Sequence, residues 1–129
     1  MNDLVSTALV TGGSRGIGKA VALALGKAGY QVFLTYVSKP DEAQAVCDEI
    51  KEAGSQARAF KLDVSDSEAV AALFKEEIKG KVKLDVLVNN AGITKDGLIP
   101  RMKDEDFDWV LNVNLKGAFY CVREAAKIM

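Results

Sequence analysis

Strand-like and helix-like segments alternate four times along these 129 residues, joined by short connections, and that alternation leaves few folds open. Residues 4–11 (LVSTALVT) are apolar and rich in β-branched side chains, which reads as a buried strand. Ile17, Val21, Ala24, Leu25 and Ala28 then recur at helical spacing, and Gly29 stands where a helix C-cap belongs. Residues 31–37 (QVFLTYV) read as a second strand. The second helix begins at Pro40, a residue suited to a first helical turn. It carries Ala43, Val46, Cys47 and Ile50 on one face and stops at Gly54. Residues 57–63 (ARAFKLD) make the third strand. Ser65-Asp66-Ser67-Glu68 follows with capping-box spacing, Ser65 being the expected cap, and then comes a stripe of Val70, Leu73, Phe74 and Ile78. Residues 84–88 (LDVLV) make the fourth strand, and one long helical pattern runs from about Asp104 to the end. Repeated βα units of this kind predict a single α/β domain, a doubly wound parallel sheet with helices on both faces. In such sheets ligands bind beyond the carboxyl ends of the strands.

Composition narrows the function. Seventeen Lys+Arg against eighteen Asp+Glu give a net charge of −1, so no basic excess draws the chain to nucleic acid or anionic lipid. The sequence has no His, which excludes a His-based triad, a His-ligated zinc and a His pH switch within these residues. Cys47 and Cys121 stand alone with no CxxC pair, and no metal site is expected. Unpaired cysteines, an N-terminus without a signal-peptide pattern and the lack of a long apolar run lead to the expectation of a cytoplasmic protein with no membrane contact.

The chemistry-bearing residues fall at strand ends. Thr11-Gly12-Gly13-Ser14-Arg15-Gly16-Ile17-Gly18 joins the first strand to the first helix. Glycines there let a ligand approach the backbone, and free N–H groups at the helix start favour a pyrophosphate. A nucleoside-triphosphate loop is the rival, since Gly13, Gly18 and Lys19 fit its spacing and Asp63 resembles its second carboxylate. The next residue is Ala20, however, where that loop needs a hydroxyl for Mg²⁺.

The spacing T-G-x-x-x-G-I-G resembles the first turn of the short-chain dehydrogenase/reductase family, and Thr11 to Gly18 match it at every fixed position. The resemblance implies a Rossmann-like sheet and dinucleotide contacts from Gly12, Ser14, Arg15, Gly16, Ile17 and Gly18. Where NAD-binding relatives place an acid after the second strand, this chain has Tyr36-Val37-Ser38-Lys39. Without that carboxylate a 2′-phosphate is not repelled. Arg15 and Lys39 can attract it and Ser38 can donate to it, so NADP(H) is the expected cofactor. Asp63 either caps the following helix or, by the resemblance, binds the adenine amino group with help from the Val64 backbone. Asn89-Asn90-Ala91-Gly92 is the family's second hallmark; it implies that Asn90, Ala91 and Gly92 line the cofactor cleft while Asn89 braces the strand. In the last helix Phe107, Leu111, Leu115, Ala118, Phe119, Val122 and Ala126 form an apolar stripe, expected to be buried, with Asn114 on it. A buried Asn needs hydrogen-bond partners, and a mid-helix Gly117 points to close packing or a bend. Asn112-Val113-Asn114-Leu115-Lys116-Gly117 resembles the family's N-x-N-x-x-G segment, which implies that Asn114 holds a water in a catalytic proton relay.

Residues 88–127, above all Asn89 to Asp96 and Arg101 to Glu105, are similar to one branch of the family, the 3-oxoacyl-[acyl carrier protein] reductases. That resemblance implies NADPH-dependent reduction of a 3-oxoacyl thioester, either a small molecule or linked to a carrier protein. The family's reaction also uses a Ser and a Tyr-x-x-x-Lys pair. Tyr30, Tyr36 and Tyr120 are followed four residues later by Leu34, Pro40 and Glu124, so none supplies it. The expectation is therefore the cofactor-binding N-terminal half of a single domain, with strand order 3-2-1-4, inactive by itself. A dinucleotide-binding module without catalysis is the alternative. An open edge on the fourth strand predicts marginal stability, a homo-oligomer, or completion by another chain.

Overall fold

A computed structural model of the chain describes residues 3–92 and 99–129. Four strands, β1 (Ser6–Thr11), β2 (Gln31–Tyr36), β3 (Ala57–Lys61) and β4 (Lys83–Asn89), form one sheet in the order β3-β2-β1-β4. All three pairings are parallel, and β4 pairs with β1 through a register shift between Thr7 and Ala8. The sheet order and the βα alternation are those anticipated from the sequence. Ile93 to Asp96, part of the segment that carries the resemblance to one branch, lie outside the described residues.

Successive residues of the central strands serve opposite faces, so each face builds its own core. Val10, Val32 and Leu34 pack with Ala22 of helix α1 (Gly16–Lys27) and with Ala43, Val46, Cys47 and Ile50 of α2 (Pro40–Glu52). Leu9 and Phe33 point the other way. They pack with Val70 of α3 (Ser67–Leu73), with Phe74 and Ile78 of the π-helical turn that continues it (Phe74–Ile78), and with Cys121 and Ala125 of a C-terminal helix. The result is three layers, with helices covering both sides of the sheet. Gly29 and Gly54 follow α1 and α2 with positive φ, the left-handed ending that a residue without Cβ adopts readily.

Three local expectations need correction. The cap of α3 is Asp66, whose carboxylate accepts from the N–H groups of Glu68 and Ala69, and not Ser65. Ser65 is instead held by Asp63, whose Oδ1 accepts from its N–H at 3.0 Å and its hydroxyl at 2.6 Å. Second, the long last helix is two helices, α4 (Asp104–Leu111) and α5 (Gly117–Ala126), joined by a π-helical turn at Asn112–Lys116. A short 3₁₀ turn, Ile99–Arg101, precedes them.

The third correction concerns which helix faces are buried. On the last helix Phe107, Leu115 and Phe119 are 55%, 65% and 56% exposed, and Leu111, Val122 and Ala126 are exposed as well. Asn114, on the same stripe, is also exposed. The face turned inward is Gly117, Cys121 and Ala125, one small residue per turn. A Cβ on Gly117 would lie 2.5 Å from Val64 Cγ2, so the helix backbone approaches Val64 as closely as the missing side chain permits. α1 docks in the same manner, burying Gly18, Ala22 and Gly26; of its expected stripe Val21 and Leu25 are half-buried against the core, while Ile17, Ala24 and Ala28 stay exposed. A Cβ on Gly26 would meet Ile50 Cγ2 at 2.9 Å. Backbone proximity decides these docking faces, and bulky side chains cannot occupy them.

The two thiols sit in opposite cores, Cys47 with α1 and α2 and Cys121 with α3, so the sheet separates them. Burial raises both pKa values, and that of Cys121 reaches about 11 against an ordinary 9.0. Because the folded thiol ionises at the higher pH, its contribution to stability is intact below the unfolded value and is lost as pH rises toward 11. Urea midpoints should therefore fall more steeply between about pH 9 and 11 for the wild type than for Cys121→Ala. Gly117→Ala gains helix propensity but forces Val64 aside. Its net effect should be a loss of ~1 kcal/mol, read from the same urea midpoint.

Candidate functional site

Where β1 and β4 end, a single hydroxyl ties them together. Thr11 Oγ1 accepts from the N–H of Asn90 at 3.1 Å and of Ala91 at 3.0 Å, and donates to the Val88 carbonyl at 3.4 Å. Asn90 returns the tie, its Nδ2 donating to the Gly12 carbonyl at 3.0 Å. On the other side Thr35 of β2 holds the same turn. Its Oγ1 accepts from the Gly12 N–H and its carbonyl from the Gly13 N–H, both at 3.1 Å. The buried polar groups of Thr11 and Thr35 are thus satisfied by the loop they position.

Three glycines make this turn possible, each for a different reason. Gly12 has φ +66°, and a Cβ there would lie 2.9 Å from Ala91 Cα. Gly18 has no room for a side chain, since a Cβ would collide with the Gly12 carbonyl and the Asn90 amide. Gly16 has φ +57° but opens onto free space, so its requirement is conformational and its surroundings are accessible. The N-terminus of α1 has no side-chain cap and no acid in its first turn. Its unsatisfied N–H groups and the helix dipole face outward, a setting that favours an anion.

Beyond the carboxyl ends of the strands lies a cleft of about 440 Å³. Of the residues singled out in the sequence, Gly12, Ser14, Arg15, Gly16, Ser38, Asp63, Val64, Asn90, Ala91 and Gly92 line it. Gly18 lies beneath the turn, packed against its backbone, and Ile17 projects from the start of α1 with 77% of its surface exposed. Neither is part of the lining. Asn114 is also outside it but adjoins its end, where a Cβ on Gly92 would stand 2.7 Å from Asn114 Oδ1. Asn114 lies in the π-helical turn, a local departure from the α-helix that recurs at functional sites.

The outer end of the cleft, past β2, carries Ser38, Lys39 and Arg15. All three are exposed or partly so, and neither cation forms an ion pair among the described residues. Lys39 holds φ +59°, a left-handed backbone unusual for a side-chain-bearing residue, and turns the chain into Pro40 at the start of α2. Sequence reasoning passed over several lining residues. Thr35 was read only as strand, while Tyr36, which stands where an acid was sought, does line the cleft. Glu42, in the first turn of α2, brings a carboxylate to the cationic end. Val113 and Trp109 add apolar lining to that of Leu62 and Val64. Their four-residue separation was a usable signal, because it puts both on the side of the helix next to Asn114 that the bulky stripe does not claim. Among the described residues no group of three or more His, Cys, Asp or Glu side chains is placed to hold a metal, and no helix is long and apolar enough to cross a membrane.

Replacing Thr11 by Val keeps the shape but strands the N–H groups of Asn90 and Ala91. The expected loss is about 2 kcal/mol of stability by urea titration, with Thr11→Ser recovering most of it.

Comparison with known proteins agrees with this geometry. A 3-oxoacyl-[acyl-carrier-protein] reductase, FabG, of Staphylococcus aureus is 45% identical over 126 residues, which are 98% of this chain and 51% of the relative. The 3-oxoacyl-[acyl-carrier-protein] reductase of a Synechocystis species is 46% identical over 122 residues, 95% of this chain and 49% of that one. Among solved structures, a dehydrogenase/reductase from Sinorhizobium meliloti superposes with a TM-score of 0.91 at 42% identity, covering 96% of this chain and 49% of that protein. A Serratia marcescens short-chain dehydrogenase/reductase variant gives 0.90 at 36% identity, with 96% and 51% covered. The chain thus spans about half the length of the relatives it matches. Residues 6–129 match the short chain dehydrogenase family, and with the sheet order, the glycine turn and the Asn90 clamp in agreement, the chain belongs to the short-chain dehydrogenase/reductases.

Proposed function

We propose that these residues supply the cofactor-binding half of a cytoplasmic NADPH-dependent reductase acting on 3-oxoacyl thioesters, free or linked to a carrier protein. The observation that carries the reading is the cleft itself, with an uncapped helix N-terminus on one wall and, at its outer end, two cations that form no ion pair among the described residues. The similarity to the 3-oxoacyl-[acyl-carrier-protein] reductases of Staphylococcus and Synechocystis supplies the substrate class.

The lining fits a phosphorylated dinucleotide. Gly12 to Gly16 and the first N–H groups of α1 receive the pyrophosphate, where Gly16 leaves open space. Arg15, Lys39 and Ser38 receive the 2′-phosphate, with the Arg15 guanidinium offering paired donors. Asp63 keeps one carboxylate oxygen beyond those engaged with Ser65, available to the adenine amino group, with the Val64 backbone beside it. Ile17 and Gly18 contribute through the helix start. Asn90, Ala91 and Gly92 form the inner lining, and Asn114 beside Gly92 holds a water for proton delivery. The bound nicotinamide supplies the hydride.

The second reading is a binding module without catalysis. NADPH binding without reduction of an acetoacetyl thioester by the protein selects that reading. Oxidation of NADPH dependent on the thioester selects the reductase. The exposed stripe of α4 and α5 and the free edge of β4 among the described residues suit contact with a second copy or a completing chain, which light scattering would detect.

Cofactor choice has a direct test. Arg15→Ala should weaken NADPH binding by about tenfold in calorimetry while changing NADH binding less than about threefold. Equal losses for both would remove the 2′-phosphate role, and no binding of either by the wild type would remove the cofactor reading.

A further inference from the structure

We infer that Trp109 is the stacking platform for the adenine base at the mouth of the cleft. The inference rests on the dinucleotide reading above and adds to it a residue outside the glycine turn and the strand ends. Leu62 and Val64 are buried, only 4% and 3% exposed, and flank Asp63 on the cleft wall. Val113 and Trp109 line the wall contributed by the last helices. These four apolar residues share the lining of one slot with the Asp63 carboxylate, which Ser65 holds. An apolar lining that includes one acceptor suits a flat heteroaromatic base bearing an exocyclic amine.

Trp109 differs from its neighbours on the slot in keeping 48% of its surface exposed. A large indole at a cleft mouth leaves apolar area for a ligand to cover, and base–aromatic stacking is strong enough to matter for affinity. The remaining exposed aromatics of this region, Phe107 and Phe119, do not line the cleft, so their exposure has a separate origin.

The chain contains a single tryptophan, so its emission reports this position alone. The probes are NADPH, 2′,5′-ADP as the adenine-side half and nicotinamide mononucleotide as the other half. Calorimetry supplies affinities and Trp109 emission supplies proximity. Wild-type emission should be quenched by 2′,5′-ADP and left unchanged by the mononucleotide. Trp109→Ala should weaken 2′,5′-ADP and NADPH alike by about tenfold, and Trp109→Phe, which keeps an aromatic face, by less than about threefold. Because the side chain is half-exposed, circular dichroism should show both variants folded. If Trp109→Ala binds 2′,5′-ADP as tightly as the wild type, or if bound 2′,5′-ADP leaves the emission unmoved, the stacking role is overturned while the cofactor reading stands. If the wild type binds neither 2′,5′-ADP nor NADPH by calorimetry, the cofactor reading falls and this inference falls with it.

Discussion

The hydroxyl of Thr11 is bonded at the point where the two strands it joins stop pairing. Two N–H groups of the β4 exit converge on it, and its own proton goes to the Val88 carbonyl near the end of β4. This arrangement does more than satisfy donors. It fixes the direction in which Asn90 leaves the sheet, and that direction puts the Asn90 amide against the Gly12 carbonyl. Gly12 can accept the contact only because it has no side chain to strike Ala91. The start of α1 inherits its position from Gly12, since Gly18 packs onto the same carbonyl. A helix N-terminus, a strand exit and a glycine turn that are far apart in the chain are therefore set by one buried hydrogen-bond cluster. Buried bonds of this kind are short-range and directional, so a small error in any member would be transmitted to the cleft.

The sheet and the element order were legible in the sequence because they depend on periodicity and punctuation. Gly29, Gly54 and Gly80 all adopt positive φ at element ends, and α2 buries the four residues its apolar spacing indicated. Helix faces were less legible where the helix runs close to the sheet. For α5 the bulky apolar residues gave the wrong face, and for α1 they gave it only in part, since Val21 and Leu25 do pack against the core while Ile17 does not. The correct one was written in Gly18, Ala22 and Gly26, and in Gly117, Cys121 and Ala125. Spacing of large side chains measures how much apolar area a face offers. It does not measure how near the backbone must come, and here nearness decides. The exposed stripe is the complement of that choice, since a helix whose small face is used presents its large one outward.

The candidate site shows a related division. Its polar members lie at strand ends and in a turn, where local chemistry makes them conspicuous, and eleven of the residues given a ligand role from the sequence, Lys39 among them, line the cleft together. The members that escaped notice, Thr35, Glu42, Val113 and Trp109, are ordinary in their local context. Thr35 looks like any β-branched strand residue, yet its hydroxyl and carbonyl hold two successive N–H groups of the glycine turn. Glu42 looks like a helix N-terminal acid serving the dipole of α2. Only the three-dimensional path of the chain brings them to the cleft. Asn114 departs in another direction: it reaches the end of β4, through Gly92, from a π-helical turn that helical spacing alone does not reveal.

Glu42 also bears on how the outer end of the cleft chooses its ligand. Two cations without ion pairs among the described residues and one carboxylate share that end, and the first turn of α2 also carries Asp41. A 2′-phosphate entering there gains from Arg15 and Lys39 but meets like charge from α2. A ribose hydroxyl, in contrast, would find Glu42 a serviceable acceptor. The absence of an acid at Tyr36 therefore does not by itself fix the preference; the balance depends on which side chains can reach the ribose. Long, flexible, solvated cations can follow a phosphate at small loss, whereas Glu42 is free to turn toward water when a phosphate arrives. The left-handed backbone at Lys39 directly precedes α2, so the cation and the helix that carries Asp41 and Glu42 share one turn of chain.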